Sequence, residues 1–403
     1  MSGLRILAVI VNLVPYHVAR WSAVGQAGHH VNVLQRRAGD PFAVLATDAD
    51  QASFQLHTLA DPLAGSPSWN EQLSACIDLL NPQVLVISGY SFPESLAALL
   101  IAAQRGLPVV VCSESNHHDA PRRPWTEALK RRVLNLAQAC LVGGEPQAAY
   151  LQQLGVAPEA IFRGYNAVDN DHFATADHWR AQGEQTRYQL GLPPRYLLAV
   201  TRFTEKKNLH RLIDGYALWR RHAPVEQQQL SLLILGEGSL RAQLEAQVVA
   251  LGLQQSVLLP GPCSYAHLPS RYGLADAFIH ASTVEQWGLV VNEAMAAGLP
   301  VLVSSTCGCA PELVQPGVTG LRFDPHSVAS IAAAIRWWCE LPGATAQRLG
   351  AASRCRVASY GPDSFVAGVE AASAYALRTP MIGLGRVNRA LVQRLIARSG
   401  WQA

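Results

Sequence analysis

FIHASTVEQWGLVVNEAMAAGLP, residues Phe278–Pro300, reads as strand, loop and helix closed by Gly298-Leu-Pro300, and VLVS at Val301–Ser304 opens another strand. Continuous apolar strands separated by a helix belong to a parallel sheet covered on both faces. Ligands of such sheets sit beyond the carboxyl ends of the strands, and the loop after His280 lies at such an end. Glu285 stands in that loop and Glu293 about one turn into the helix. The amides of Trp287, Gly288 and Leu289 fall at the helix N-terminus, where unpaired N–H groups and the dipole favour an anion. Gly288 lets the backbone approach closely.

The same alternation extends in both directions. Toward the N-terminus, Leu4–Val11, His30–Leu34, Val84–Ser88, Val109–Cys112 and Cys140–Val142 read as strands. Helices fall near Tyr16–Gln26, from Phe92 and through Trp125–Ala137. The pattern breaks at Gly164–His172 and the polar stretch Thr175–Gln185, which reads as a linker. It restarts with Tyr196–Val200, Leu230–Leu235, Val257–Leu259 and Ala277–His280, with helices from Asn208 and Ser239. After Tyr360 the chain is helical, and Arg386–Arg398 forms a last amphipathic helix. The expected class is α/β, with two Rossmann-like doubly wound domains facing each other across a cleft. The first covers 1–175 plus C-terminal helices returning at about 361–403, and the second covers 186–360.

A chain of 403 residues suits two domains. Nearly half of it is apolar and only 15% charged, which favours globular packing. A formal charge of +3 gives no indication of a nucleic-acid partner. No apolar run reaches the roughly 18 residues of a membrane span. The N-terminus has the length of a short signal peptide, but no small-residue cleavage site follows, and it reads as a first buried strand. The eight cysteines are scattered, mostly in apolar runs, so reduced core thiols and a cytoplasmic protein are expected. Cys307-Gly-Cys309 lacks a second pair at zinc spacing. Asp48-Ala-Asp50 and Asp169-Asn-Asp171 imitate an acidic metal triplet without the strand that should precede it, so no metal is assigned.

Two more loops lie at strand ends. In TRFTEKKN, Thr201–Asn208, Arg202 and Lys207 form a cation pair suited to two linked phosphates. Leu235-Gly236-Glu237-Gly238 is a glycine turn from strand to helix, a weaker phosphate signal. The carboxylates Glu285 and Glu293 suit bidentate contacts to sugar hydroxyls.

VEQWGLVVNEAMAAGLPVLVSSTCGCAPELVQPGVTGLRF resembles the donor-site signature of glycosyltransferase family 4, of GT-B fold. The shared features are Glu285 and Glu293, Gly298 and Pro300, Gly308, Glu312, Gly317 and Gly320. TRFTEKKNLHRLIDGYA is similar to the family's phosphate-binding segment, ILGEGSLRAQLE to its Gly-x-Gly helix start, and GYNAVDNDHF to its hinge. The resemblance implies that Arg202 and Lys207 hold a diphosphate, that Glu293 binds ribose, and that Glu285 orients the donor sugar, helped by the amides of Trp287–Leu289 and by Gly236. It implies transfer of a hexosyl unit with retention, a nucleotide diphosphate sugar as co-substrate, and no bound cofactor or metal. UDP-sugars are the commonest donors in the family, though no residue here separates uracil from guanine.

The first half resembles the family only in architecture. Where members carry a histidine after the fourth strand, PVVVCSESNHHD places Glu114, with His117 and His118 a few residues on. The resemblance puts one of these three near the transferred sugar. The family's early glycine-rich loop is replaced by Asn12-Leu-Val-Pro-Tyr-His17, so Tyr16 and His17 are acceptor candidates. Arg122, Arg123, Lys130, Arg131 and Arg132 beside Trp125 form a basic patch suited to peripheral contact with an anionic membrane at its inner face, or to an acidic acceptor. Competing readings are a sugar phosphorylase or sugar-phosphate synthase, a hydrolysing nucleotide-sugar epimerase, and a non-catalytic subunit that binds nucleotide-sugar. The complete set Arg202, Lys207, Glu285 and Glu293 opposes the last.

Overall fold

The computed structural model describes residues 3–36, 52–61, 67–380 and 385–398. The chain forms two compact units, one of residues up to Ala167 with those from Pro362 onward, the other Val168–Gly361.

In the first unit the strands are β1 (Arg5–Ile10), β2 (His30–Gln35), β3 (Gln55–Thr58), β4 (Val84–Ser88), β5 (Val109–Ser113), β6 (Ala139–Val142) and β7 (Ile161–Arg163). They form one parallel sheet in the order β3-β2-β1-β4-β5-β6-β7. Side chains of β1 show why its sequence has no polar alternation. Leu7 and Val9 enter one apolar cluster while Ile6, Ala8 and Ile10 enter another on the opposite face. The C-terminal helices complete both clusters. Helix Pro362–Arg378 contributes Phe365, Val369, Ala372 and Ala376 on the β1 face that holds Trp21, whose ring meets Phe365 edge-on at 5.0 Å. Helix Arg386–Arg398 contributes Val392 and Ile396 to the other.

In the second unit, β8 (Arg195–Val200), β9 (Leu230–Leu235), β10 (Val257–Gly261), β11 (Ala277–His280), β12 (Val301–Ser304) and β13 (Gly320–Phe323) form a parallel sheet. Its order is β10-β9-β8-β11-β12-β13. Tyr196 and Leu198 of β8 face one cluster, Leu197 and Ala199 the other. The strand order reverses between β1 and β4 in one sheet and between β8 and β11 in the other. At such a reversal the loops leave in opposite directions and open a crevice at the strand ends.

The structure departs from the sequence reading in several places. Thr175–Gln185 is not a linker, because Asn170–Ala174 and Ala176–Gln189 are helices of the second unit, the latter kinked at Gly183. Phe173 and Ala176 are fully buried there, and Arg180 and Arg187 donate to Ala297 O and Leu274 O at 2.6 and 3.1 Å. The unit boundary therefore falls between residues 167 and 168, ahead of 175. Strands β3, β7 and β13 have no counterpart in that reading; each is three or four residues long. Asp48 and Asp50 lie outside the described residues. Asp169 caps a helix, accepting from His172 N at 2.9 Å. All eight cysteines are free thiols. Among the described residues, no group of three or more potential metal ligands comes together, and no helix is long and apolar enough to cross a membrane.

Candidate functional site

Two loops meet at the strand reversal of the second sheet. The loop after β8 is fixed from below: Thr201 N donates to Leu235 O at 2.9 Å and Phe203 N to Glu237 O at 2.8 Å. A Cβ on Gly236 would stand 1.7 Å from Thr201 O, and one on Gly238 would stand 2.4 Å from Phe203 O. The Gly236 amide itself donates to Gly261 O at 2.9 Å. The glycines of Leu235–Gly238 thus serve the close approach of two loops, and Gly236 has its N–H committed to the protein. Asn208, left-handed at φ 58°, ends the β8 loop and donates to Ala281 O and Pro325 O at 3.0 and 2.8 Å. Thr283 N donates to Lys206 O at 2.9 Å. These bonds fasten the β8 loop to the β11 loop.

The fastening brings Lys207 to Glu285. The Lys207 ammonium donates to Glu285 Oε2, which also accepts from His280 Nε2 at 3.1 Å and Ser282 Oγ at 3.2 Å. Burial alone would raise the Glu285 carboxyl, but the His280 hydrogen bond and the Lys207 charge outweigh it and hold the carboxyl far below its usual range. Glu285 is therefore an anion whose charge is set by the protein, not a solvated loop acid. Arg202, exposed, stands five residues before Lys207 on the same loop.

Helix Leu289–Ala296 starts beside this cluster. Gly288 caps it with φ 103°, a conformation that disfavours any side chain, and a Cβ there would stand 2.8 Å from Cys307 Sγ and 3.3 Å from Glu285 Cγ. Trp287 contributes backbone only: its ring is buried, with Nε1 donating to Asn292 Oδ1 at 2.9 Å. The first helical amides, Leu289 included, stand where an anion is favoured. One turn on, Glu293 is buried and accepts from Tyr272 OH at 2.9 Å. Burial pushes its carboxyl up to about 7, against the Tyr272 hydrogen bond. Sequence reasoning missed His280, Ser282, Tyr272 and Asn208. A histidine closing an apolar strand, with a serine two residues later, is the signal that was available.

In the first unit, His17 and Tyr16 follow β1. His17 is buried and its Nδ1–H donates to Asn12 O at 3.1 Å, which leaves Nε2 as the acceptor. Burial, and then the charge of Arg20, push its pKa down to about 3. Tyr16 packs on His17 with ring centroids 4.5 Å apart, and the Arg20 guanidinium lies 4.5 Å from the Tyr16 ring. Glu114, half-buried, directly follows β5. His117 and His118 are exposed, and His117 Nδ1 donates to Gln153 Oε1 at 3.2 Å.

The basic patch is smaller than its sequence suggests. Arg122 and Lys130 turn inward onto Tyr150, each donating to its hydroxyl at 2.7 Å, while that hydroxyl donates to Glu127 at 2.7 Å. Arg122 also pairs with Asp119. Arg123, Arg131 and Arg132 remain exposed, with Arg131 donating to Gln153 O. A tyrosine able to gather two cations and an acid is what reduces the patch.

Residues 21–172 match the family described as Glycosyltransferase Family 4, and residues 184–356 match Glycosyl transferases group 1. D-inositol 3-phosphate glycosyltransferase 1 of Catenulispora acidiphila is 28% identical over 284 residues, covering 66% of this chain and 66% of that protein. Mannosylfructose-phosphate synthase of Agrobacterium fabrum is 31% identical over 35% of this chain and 31% of that protein, and glycogen synthase of Mycobacterium tuberculosis 36% identical over 41% and 39%. A glycosyltransferase from Rickettsia africae ESF-5 superposes with a TM-score of 0.74 at 16% identity, covering 94% of this chain and 100% of that one. The Anabaena HepE protein in complex with UDP and glucose gives a TM-score of 0.73 at 18% identity, over 91% and 98% of the two chains. At such identities the likeness is one of fold.

Proposed function

Since the chain belongs to glycosyltransferase family 4 and has its GT-B fold, we propose that it transfers a hexosyl unit from a nucleotide diphosphate sugar to a hydroxyl acceptor, with retention of anomeric configuration. The observation that carries this reading is the meeting of Lys207, Glu285 and His280 at the strand reversal of the second sheet. Lys207 and Arg202 there face the diphosphate, and the helix N-terminus at Leu289 adds its dipole. Glu285, held as an anion, accepts from hydroxyls of the donor sugar. Glu293, with one oxygen fixed by Tyr272, takes the ribose.

In the reaction the acceptor oxygen attacks the anomeric carbon on the face that the diphosphate leaves. The bond from that carbon to the phosphate oxygen breaks, and the acceptor proton passes to a phosphate oxygen. The charge growing on the leaving diphosphate is what Lys207 and Arg202 stabilise. We assign the acceptor to the first unit, near Glu114, Tyr16 and His17, where His17 Nε2 is a neutral acceptor for a hydroxyl. UDP, the nucleotide bound to the Anabaena protein, is the first donor nucleotide to test.

The test is calorimetric titration with UDP and GDP, followed by product analysis with the matching nucleotide-sugars. Lys207→Met should lose nucleotide affinity by about tenfold or more while keeping its circular dichroism. Wild-type affinity for both nucleotides in that variant refutes the site. Turnover of a sugar 1-phosphate with release of inorganic phosphate, and of neither nucleotide-sugar, would identify a phosphorylase instead.

A further inference from the structure

Behind the Glu285 cluster lies a thiol pair that the proposed reaction does not use. Cys307 Sγ and Cys309 Sγ are 3.5 Å apart, and the residue between them is a glycine, with no side chain to obstruct their approach. Both are buried, Cys307 at 1% exposure and Cys309 at 0%. The Cys307 thiol donates to Trp287 O at 2.9 Å and also contacts the His280 imidazole, whose Nε2 holds Glu285. Backbone bonds lock the same residues: Gly308 N donates to Glu285 O at 3.1 Å and Cys309 N to Trp287 O at 3.0 Å. The sulfur pair and the Glu285 carboxylate are thus two ends of one hydrogen-bonded unit.

We propose that Cys307 and Cys309 form a reversible disulfide when the protein meets hydrogen peroxide or a small organic hydroperoxide, and that this weakens donor binding. The effect on donor binding rests on the function proposed above; the disulfide does not. The Cys307 thiolate attacks one peroxide oxygen, the O–O bond breaks, and a sulfenic acid and hydroxide result. The Cys309 thiol then attacks that sulfur, water leaves, and the S–S bond forms. Peroxide is reduced by two electrons and the two thiols are oxidised. Bringing the sulfurs from 3.5 Å to a bond of about 2.05 Å draws Cys307 off Trp287 O and His280. The chemistry around the pair divides the two roles. Burial raises both thiols, but hydrogen bonds from Cys309 and His280 bring Cys307 below its ordinary value while Cys309 stays above. Burial also excludes a protein disulfide as the oxidant, because no disulfide sulfur of another macromolecule reaches either thiol.

A Cys355→Ser background removes the exposed thiol. That protein is exposed to hydrogen peroxide, unfolded and alkylated, and the peptide holding residues 307 and 309 is weighed. A peptide two hydrogens lighter and unalkylated is expected, together with UDP affinity weaker by about tenfold, both reversed by dithiothreitol. Cys309→Ser should instead accumulate a sulfenic acid on Cys307 that dimedone traps. Complete alkylation of both thiols after peroxide overturns the proposal, and so does a disulfide that leaves UDP affinity unchanged. Should the reduced protein bind neither UDP nor GDP, the donor-site reading falls, while the alkylation pattern still decides the disulfide.

Discussion

Glu293→Gln separates the charge of a buried carboxyl from its shape. Burial carries this group from an ordinary value of 4.5 to about 7, with the Tyr272 hydroxyl opposing. A carboxyl that is harder to ionise in the folded state adds full stability below about pH 4.5 and loses it as pH rises to about 7. At about 1.4 kcal/mol per pH unit, the loss is about 3 kcal/mol by pH 8. For a unit of this size that corresponds to a melting shift of about 6 to 12 °C. The substituted amide keeps an oxygen for Tyr272 but carries no charge. Its buried N–H groups add a pH-independent cost of about 1 to 3 kcal/mol. The slope is therefore the diagnostic quantity, not the offset. Melting curves of both proteins from pH 4.5 to 8.5 should converge or cross, with the variant gaining on the wild type through about pH 7. Parallel curves would refute the reasoning, because they would mean that Glu293 ionises as an ordinary carboxylate.

Gly288→Ala places a Cβ 2.8 Å from Cys307 Sγ at φ 103° and should lower stability by about 1 to 3 kcal/mol, read by chemical denaturation. Unchanged stability would mean that the loop relaxes freely. Tyr150→Phe removes the hydroxyl shared by Arg122, Lys130 and Glu127 and should cost about 1 to 3 kcal/mol, with nucleotide affinity preserved. Asn208→Ala removes two bonds that tie the β8 loop to its neighbours, so stability should fall by about 1 to 3 kcal/mol and calorimetry should show weaker nucleotide binding.

What the sequence made legible was whatever burial imposes on a strand with two covered faces. Val84–Ser88 and Leu230–Leu235 could be read because both sides of each strand need apolar residues. The edge strand β3, QLHT, packs mainly on one neighbour and stays largely exposed, so it carries no such mark. Thr175–Gln185 looked like a linker because its helix buries few residues and is held by arginines reaching backbone carbonyls. Glu285 and Lys207 were visible as residue types at strand ends. Their pairing was not, since it depends on Asn208 and Thr283 fastening two loops that lie 78 residues apart in the chain. For the same reason the inward turn of Arg122 and Lys130 is invisible without Tyr150 in place.

The chain leaves the first unit after Ala167 and re-enters it at Pro362. During synthesis, Val168–Gly361 emerges as an unbroken segment and can close its sheet before the ribosome has finished. The first unit must wait, since Phe365, Val369, Ala372 and Ala376, which seal one of its faces, are made only after the whole of the second unit. Premature termination near residue 361 therefore spares the half that leaves the ribosome second and strands the half that leaves it first, with a bare apolar surface as a ready target for chaperones and proteases.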